Sequence, residues 1–135
     1  METTVIIVQH GEKRKEPGDP ALTARGERQA AACARVLADR RVAAVYTSPL
    51  RRAFDTARPI GLAVGTKVAV VPALRERMNW SPDCGLDLTA FLAEWERATA
   101  DRSYQPAVGD SSGTAGDGFA AFLDHLVATH LGKPS

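Results

Sequence analysis

A dominant charge is missing from this chain. Seventeen basic side chains against sixteen acidic ones leave a net +1 over 135 residues. Such a surface has no field of one sign to draw in nucleic acid or an anionic membrane, so neither is expected as a partner. No apolar run approaches the roughly 18 residues that a membrane-spanning helix needs. A basic leader followed by an apolar stretch is absent from the N-terminus, and no secretion signal is expected. Cysteine is scarce: Cys33 and Cys84 stand far apart and without metal-ligand spacing. They suit a reducing, cytoplasmic setting, and no disulfide framework is expected. What remains is ordinary for a globular protein, with 44% hydrophobic and 24% charged residues. The length suits one domain, residues 1–135, with a real core.

The most informative stretch is Val5-Ile6-Ile7-Val8-Gln9-His10-Gly11-Glu12. Four branched apolar residues in a row predict a strand buried on both faces, as in a parallel sheet. In open α/β sheets, ligands bind just beyond the carboxyl ends of strands. His10 falls at that place. Gly11, without a Cβ, lets the backbone come close to a ligand.

Beyond it, Pro17-Gly18-Asp19-Pro20 supplies turn chemistry after the basic cluster Lys13-Arg14-Lys15, a candidate for steering phosphate. Thr23 is a plausible N-cap for a helix reaching about Asp39, with Ala30, Cys33, Ala34 and Leu37 on one apolar face. Cys33 reads there as a small core residue. Val42–Thr47 predicts a second strand that runs into Ser48, an expected N-cap, and Pro49, an expected first helical residue. Leu50, Ala53, Ala57, Ile60 and Val64 continue a helical stripe, which Pro59 should kink or restart. The opening turn of that helix is a candidate anion site and carries Arg51 and Arg52.

Val68–Val71 predicts a third strand, and Glu76 follows its tip as His10 follows the first. Neighbouring Arg75 and Arg77 would favour its ionised form, and burial would oppose it. Leu88, Phe91, Leu92 and Trp95 form a stripe read as core packing. Residues 101–118 read as a loop, and Phe119, Phe122, Leu123 and Leu126 open a last helix bearing His125 and His130. Gly132 and Pro134 would end it.

Four pieces in order carry a resemblance: Gln9-His10-Gly11-Glu12; Leu22-Thr23-Ala24-Arg25-Gly26 with Gln29-Ala30; Thr47-Ser48-Pro49-Leu50-Arg51-Arg52-Ala53 with Thr56-Ala57; and Leu74-Arg75-Glu76. Together they resemble the histidine phosphatase superfamily, the phosphoglycerate mutases and related phosphatases. Gly109-Asp110-Ser111 adds a weak match to a later element. The resemblance implies a three-layer α/β/α fold with a mostly parallel sheet. It implies a phosphatase acting on a small phosphorylated metabolite through a phosphohistidine on His10. Arg52 would clamp the phosphate, which a planar guanidinium can do with two bonds. Glu76 would give a proton to the leaving alcohol and then activate water. Gln9, Gly11 and Thr23 would complete the phosphate site. No metal or cofactor is implied, because cationic side chains and helix N–H groups would stabilise the phosphate oxygens.

Two departures bear on activity. The family's opening Arg-His-Gly is Gln9-His10-Gly11 here, which exchanges a charged donor, worth roughly 1.5–3 kcal/mol, for a neutral one. Lys13 or Arg51 is the candidate to compensate. The family's second histidine, on a Ser/Thr-His-Gly element after a later strand, has no counterpart here, and His125 and His130 do not match it. That strand would lie beside Val5–Val8 in mid-sheet. Its absence would leave an apolar edge open to pairing. A fragment of a longer protein is the favoured explanation. A homo-oligomer covering the edge and a degenerate product are the others. The alternatives to a phosphatase are a phospho-ligand binding or regulatory module without turnover, a mutase-type phosphotransferase, and an unrelated α/β binding domain. Substrate choice would rest with loops 78–85 and 101–118, which hold Asn79, Trp80 and Tyr104.

Overall fold

The computed structural model describes residues 3–79 and 84–130, the side chain of His130 excepted. Trp80 and the expected helix stop at Gly132 and Pro134 lie outside the described residues. Thr23 starts the first helix as expected. Its hydroxyl accepts the Gly26 N–H at 3.0 Å, which satisfies one of the free donors of α1 (Ala24–Leu37). The apolar face turns inward, with Ala30, Ala34 and Leu37 buried and Cys33 packed against them.

Residues Val45–Thr47 form β1, and Val68–Val70 form β2. They pair in parallel, Val45 opposite Val68 and Thr47 opposite Val70. The crossover between them is α2 (Arg51–Val64), completing a βαβ unit. The Val71 N–H donates to the Thr47 carbonyl at 2.7 Å, so the pairing reaches the last residue of the expected strand. Helix α2 does not restart at Pro59 but continues to Val64. Ala34, Leu37 and Ile60 join α1 to α2 in one core cluster, with Val45 of β1 against it.

A second cluster holds the other half. Met78, Phe91 and Ala98 are buried together, with Leu86, Tyr104 and Val108 packed on them. Phe91 and Ala98 come from α3 (Leu88–Ala100), which Asp87 caps by accepting the Ala90 N–H at 2.7 Å. Leu88, Leu92 and Trp95 stay substantially exposed, so only part of the expected stripe is core. Helix α4 (Ser112–His130) begins seven residues before Phe119, inside the expected loop. Local capping wins over glycine-rich composition there: the Ser111 hydroxyl accepts the Thr114 N–H at 3.0 Å, and the Ser111 carbonyl accepts the Ala115 N–H at 3.0 Å. Tyr46 of β1 meets Phe122 of α4 edge to face, with ring centroids 5.2 Å apart. Among the described residues, no helix is long and apolar enough to cross a membrane.

The first expected strand is corrected by the structure. Val5–Val8 pairs with neither β1 nor β2, and Ile7 is 74% exposed. An apolar run becomes a strand only when a neighbour takes up its backbone groups, and the described sheet has two strands, β1 and β2. Residues Thr3–His10 and Ala43–Ser48 instead line a cavity of about 740 Å³, with Phe119, Phe122 and Leu126 of α4 also on its wall.

The turn after His10 is held by a close backbone approach. A Cβ on Gly11 would lie 2.5 Å from the Gly26 carbonyl oxygen, and one on Gly26 would overlap the Glu12 carbonyl. Gly11 is therefore needed for packing on α1. In an open helix, Gly→Ala is worth about 1 kcal/mol of stability. At Gly26 the overlap reverses that sign. Gly26→Ala is expected to lower stability by about 2 kcal/mol or more in denaturant unfolding. An unchanged or higher unfolding midpoint would contradict the close approach.

Candidate active site

His10, Arg52 and Glu76, from three separate segments, all line one cavity, together with Gln9, Thr47 and Ser48. His10 sits on the turn packed against α1. Its Nδ1 lies 2.7 Å from the Gly11 carbonyl oxygen. That oxygen can only accept, so Nδ1 is the donor, and in the neutral ring it is Nε2 that carries the lone pair. The ring is thus set up as a nucleophile or base at Nε2.

Arg52 lies in the first turn of α2, and its side chain is only 3% exposed. Its Nη2 donates to Glu76 Oε2 at 2.8 Å. Its Nη1, also buried, has no hydrogen-bond partner among the described residues. An unsatisfied buried donor costs about 1–3 kcal/mol, and more when charged. An anion accepting from Nη1 would remove that cost. Glu76 is 52% exposed and stands beyond β2 and the short turn Pro72–Leu74. Its charge partner is Arg52. Arg77, one of the two flanking arginines expected to act on it, is engaged elsewhere: on the Trp95 ring at 4.6 Å, on Thr99 at 2.6 Å and on the Ser112 hydroxyl.

The opening of α2 differs from the expectation. The helix starts at Arg51, not Pro49, and Ser48 is not its cap. The Asp19 carboxylate accepts the Arg51 N–H at 2.7 Å, so an internal anion already holds part of the helix N-terminus. The Pro17–Pro20 turn carried the signal for this, since aspartate in a turn is a ready helix cap. Arg51 points away from the cavity's lining, pairs with Asp55 at 3.6 Å and borders a small polar pocket with Arg14 and Asp19. Lys13 does not line the cavity either. The two cations expected to make up for Gln9 are therefore elsewhere.

Thr23 and Gly11 do not line the cavity. The Thr23 hydroxyl is occupied by the Gly26 N–H and by Glu12, and Gly11 is buried against Gly26. Gly11 meets α2 through a residue outside the expected set, Thr56, whose Oγ1 accepts the Gly11 N–H at 3.0 Å. Asn79 ties its loop to the first one, donating to the Gly18 carbonyl at 2.7 Å. Gly109, with φ of 79°, brings its loop onto the Arg77 backbone, where the Asp110 N–H donates to the Arg77 carbonyl at 2.6 Å.

Comparison with known proteins gives a consistent result. The family model described as histidine phosphatase superfamily (branch 1) matches residues 5–134. The Mycobacterium tuberculosis protein Rv0525, itself uncharacterized, is 43% identical over 86 residues, covering 58% of this chain and 43% of that protein. The mycobacterial glucosyl-3-phosphoglycerate phosphatase Rv2419c superposes in its native structure with a TM-score of 0.71 at 29% identity, over 89% of this chain and 61% of that one. Its complex with inorganic phosphate gives a TM-score of 0.68 at 31% identity, over 88% and 60%. The chain thus spans less than two-thirds of the length of each relative. The α/β fold class read from the sequence holds, although Val5–Val8 is unpaired.

Inorganic phosphate is expected to bind where Arg52 Nη1 is free. Arg52→Lys gives up the planar two-bond donor and should raise the phosphate Kd at least about tenfold by calorimetry. Arg51→Lys should leave it within about twofold, because Arg51 lies off the cavity. Equal losses in both variants would place the anion at the helix N-terminus instead.

Proposed function

Since the chain belongs to the histidine phosphatase superfamily, we propose that it hydrolyses a small phosphate monoester through a phosphohistidine on His10. The observation that carries this reading is the buried Arg52 guanidinium, with one nitrogen on Glu76 and the other without a partner among the described residues, in a residue that lines the same cavity as a histidine whose Nδ1 is held by a carbonyl oxygen. Nε2 attacks phosphorus as the ester P–O bond breaks. The Glu76 carboxyl gives its proton to the departing alkoxide. Water then attacks phosphorus, Glu76 takes its proton, and the N–P bond breaks to return His10 and release inorganic phosphate. The substrate phosphate competes with Glu76 for Arg52. Arg52 stabilises the charge on the phosphate oxygens through both steps.

One structural relative, Rv2419c, is a glucosyl-3-phosphoglycerate phosphatase, which supports the hydrolase class. The substrate of this chain depends on loops 78–85 and 101–118, the first of which Asn79 ties to the turn at Gly18. A second reading, a phospho-ligand binding module without turnover, draws support from Gln9 and from Lys13 and Arg51 lying off the cavity.

Hydrolysis of an aryl phosphate by the parent protein is expected to fall by about three orders of magnitude or more in His10→Ala, the usual scale for a lost nucleophile. Quenched in alkali, the parent should retain a phosphoryl label that His10→Ala lacks and that later exposure to acid removes. Equal labelling of the two proteins would defeat the assignment. Phosphate binding by a parent without turnover would establish the binding module.

A further inference from the structure

We infer that Thr56 is a positioning residue that sets His10 against Arg52, an inference that rests on the phosphatase reading above. Thr56 lies one helical turn after Arg52 in α2 and is buried at 4% exposure. Its Oγ1 accepts the Gly11 N–H at 3.0 Å and donates its own proton to the Arg52 carbonyl at 2.8 Å. A hydroxyl has one proton, so the direction of this chain is fixed: Gly11 N–H to Thr56 Oγ1, then Thr56 O–H to the Arg52 carbonyl. Donor and acceptor roles in series strengthen each other in a buried site.

The two ends of that chain are the ones that matter to the proposed chemistry. Gly11 supplies both the N–H bound by Thr56 and the carbonyl that holds His10 Nδ1. One peptide unit on each side of Gly11 therefore joins the imidazole to α2. Arg52, whose carbonyl Thr56 holds, lines the cavity. One hydroxyl thus connects the backbone of the nucleophile's turn to the backbone of the phosphate clamp. Thr56 itself also borders the cavity, but its single proton is given to the Arg52 carbonyl, so it has none to donate to a phosphate oxygen and acts through Gly11 and Arg52.

Most threonines in helices bond back to the carbonyl four residues earlier, and that bond alone is a local matter. The Gly11 contact spans 45 residues of sequence, and it is this second bond that makes the residue more than a helix detail. Valine has nearly the same shape and lacks the hydroxyl. It would leave the Gly11 N–H buried against a methyl group. Serine keeps the hydroxyl and loses only a methyl.

The test compares parent, Thr56→Val and Thr56→Ser in two ways. With an aryl phosphate, Thr56→Val should lose about 10- to 100-fold in kcat, the range of a displaced reacting group, with KM within about threefold. Thr56→Ser should stay within about threefold in both. Amide hydrogen exchange by nuclear magnetic resonance should show Gly11 protected in the parent and in Thr56→Ser, and exchanging at least about tenfold faster in Thr56→Val. Valine turning over like the parent, or serine failing as valine does, would overturn the inference. The exchange measurement does not depend on turnover. If the parent proves inactive while Gly11 protection follows the hydroxyl, the phosphatase reading has failed and the positional link stands. Equal protection in all three proteins would end the link whatever the activity.

Discussion

A guanidinium taken out of water, with only one carboxylate to answer it, is the constraint around which this molecule is arranged. Arg52 is nearly fully buried, and Glu76, its partner, is half in solvent. Burying a charge costs several kcal/mol, and one ion pair with a half-exposed carboxylate returns only part of that. The chain tolerates the cost at a point where α2 leaves β1 and where the histidine turn arrives from the other side. That combination suits an oxyanion: a fixed cation with a free donor, and a histidine lining the same cavity. A protein built for stability alone would have put an apolar residue there.

The scaffold fixes those groups by backbone contacts. Gly11 on Gly26 presses the histidine turn onto α1, and the α1–α2 core carries that constraint on to Arg52. The Met78–Phe91–Ala98 cluster holds the other side, with Arg77 laid over Trp95 and tied to α3 and α4. Glu76 sits between the two halves. It is held to the first by Arg52 and to the second by its neighbours Arg77 and Met78 in sequence. Relative movement of the halves would change the Arg52–Glu76 distance directly, and Glu76 is the residue proposed to move the proton.

Features that depend on short sequence spans were legible. The cap at Thr23, the apolar face of α1, the crossover α2 and the parallel partners near 45 and 68 all follow from local periodicity and turn chemistry. His10 and Glu76 stand out because each follows a strand-like run, and the family resemblance singles out Arg52 from the Arg51–Arg52 pair; the three line one cavity. Features set by a distant partner were not legible. Val5–Val8 has strand composition, but composition does not supply a neighbouring ladder. Asp19 reaches the start of α2 across 32 residues of sequence. Arg77 could be read as acting on Glu76 only until Trp95 and Ser112 were seen to hold it. Thr56 lay inside a quoted motif, yet its role appears only when Gly11 is placed against it.

The central claim is that His10 and Arg52 share one bound oxyanion, and a crystal grown with orthovanadate tests it most directly. Vanadate adopts the five-coordinate geometry of a phosphoryl group in transfer. The account predicts vanadium within bonding distance of His10 Nε2, with its equatorial oxygens accepting from Arg52. Vanadate held at the helix opening by Arg51 and Arg14, with His10 untouched, would contradict it.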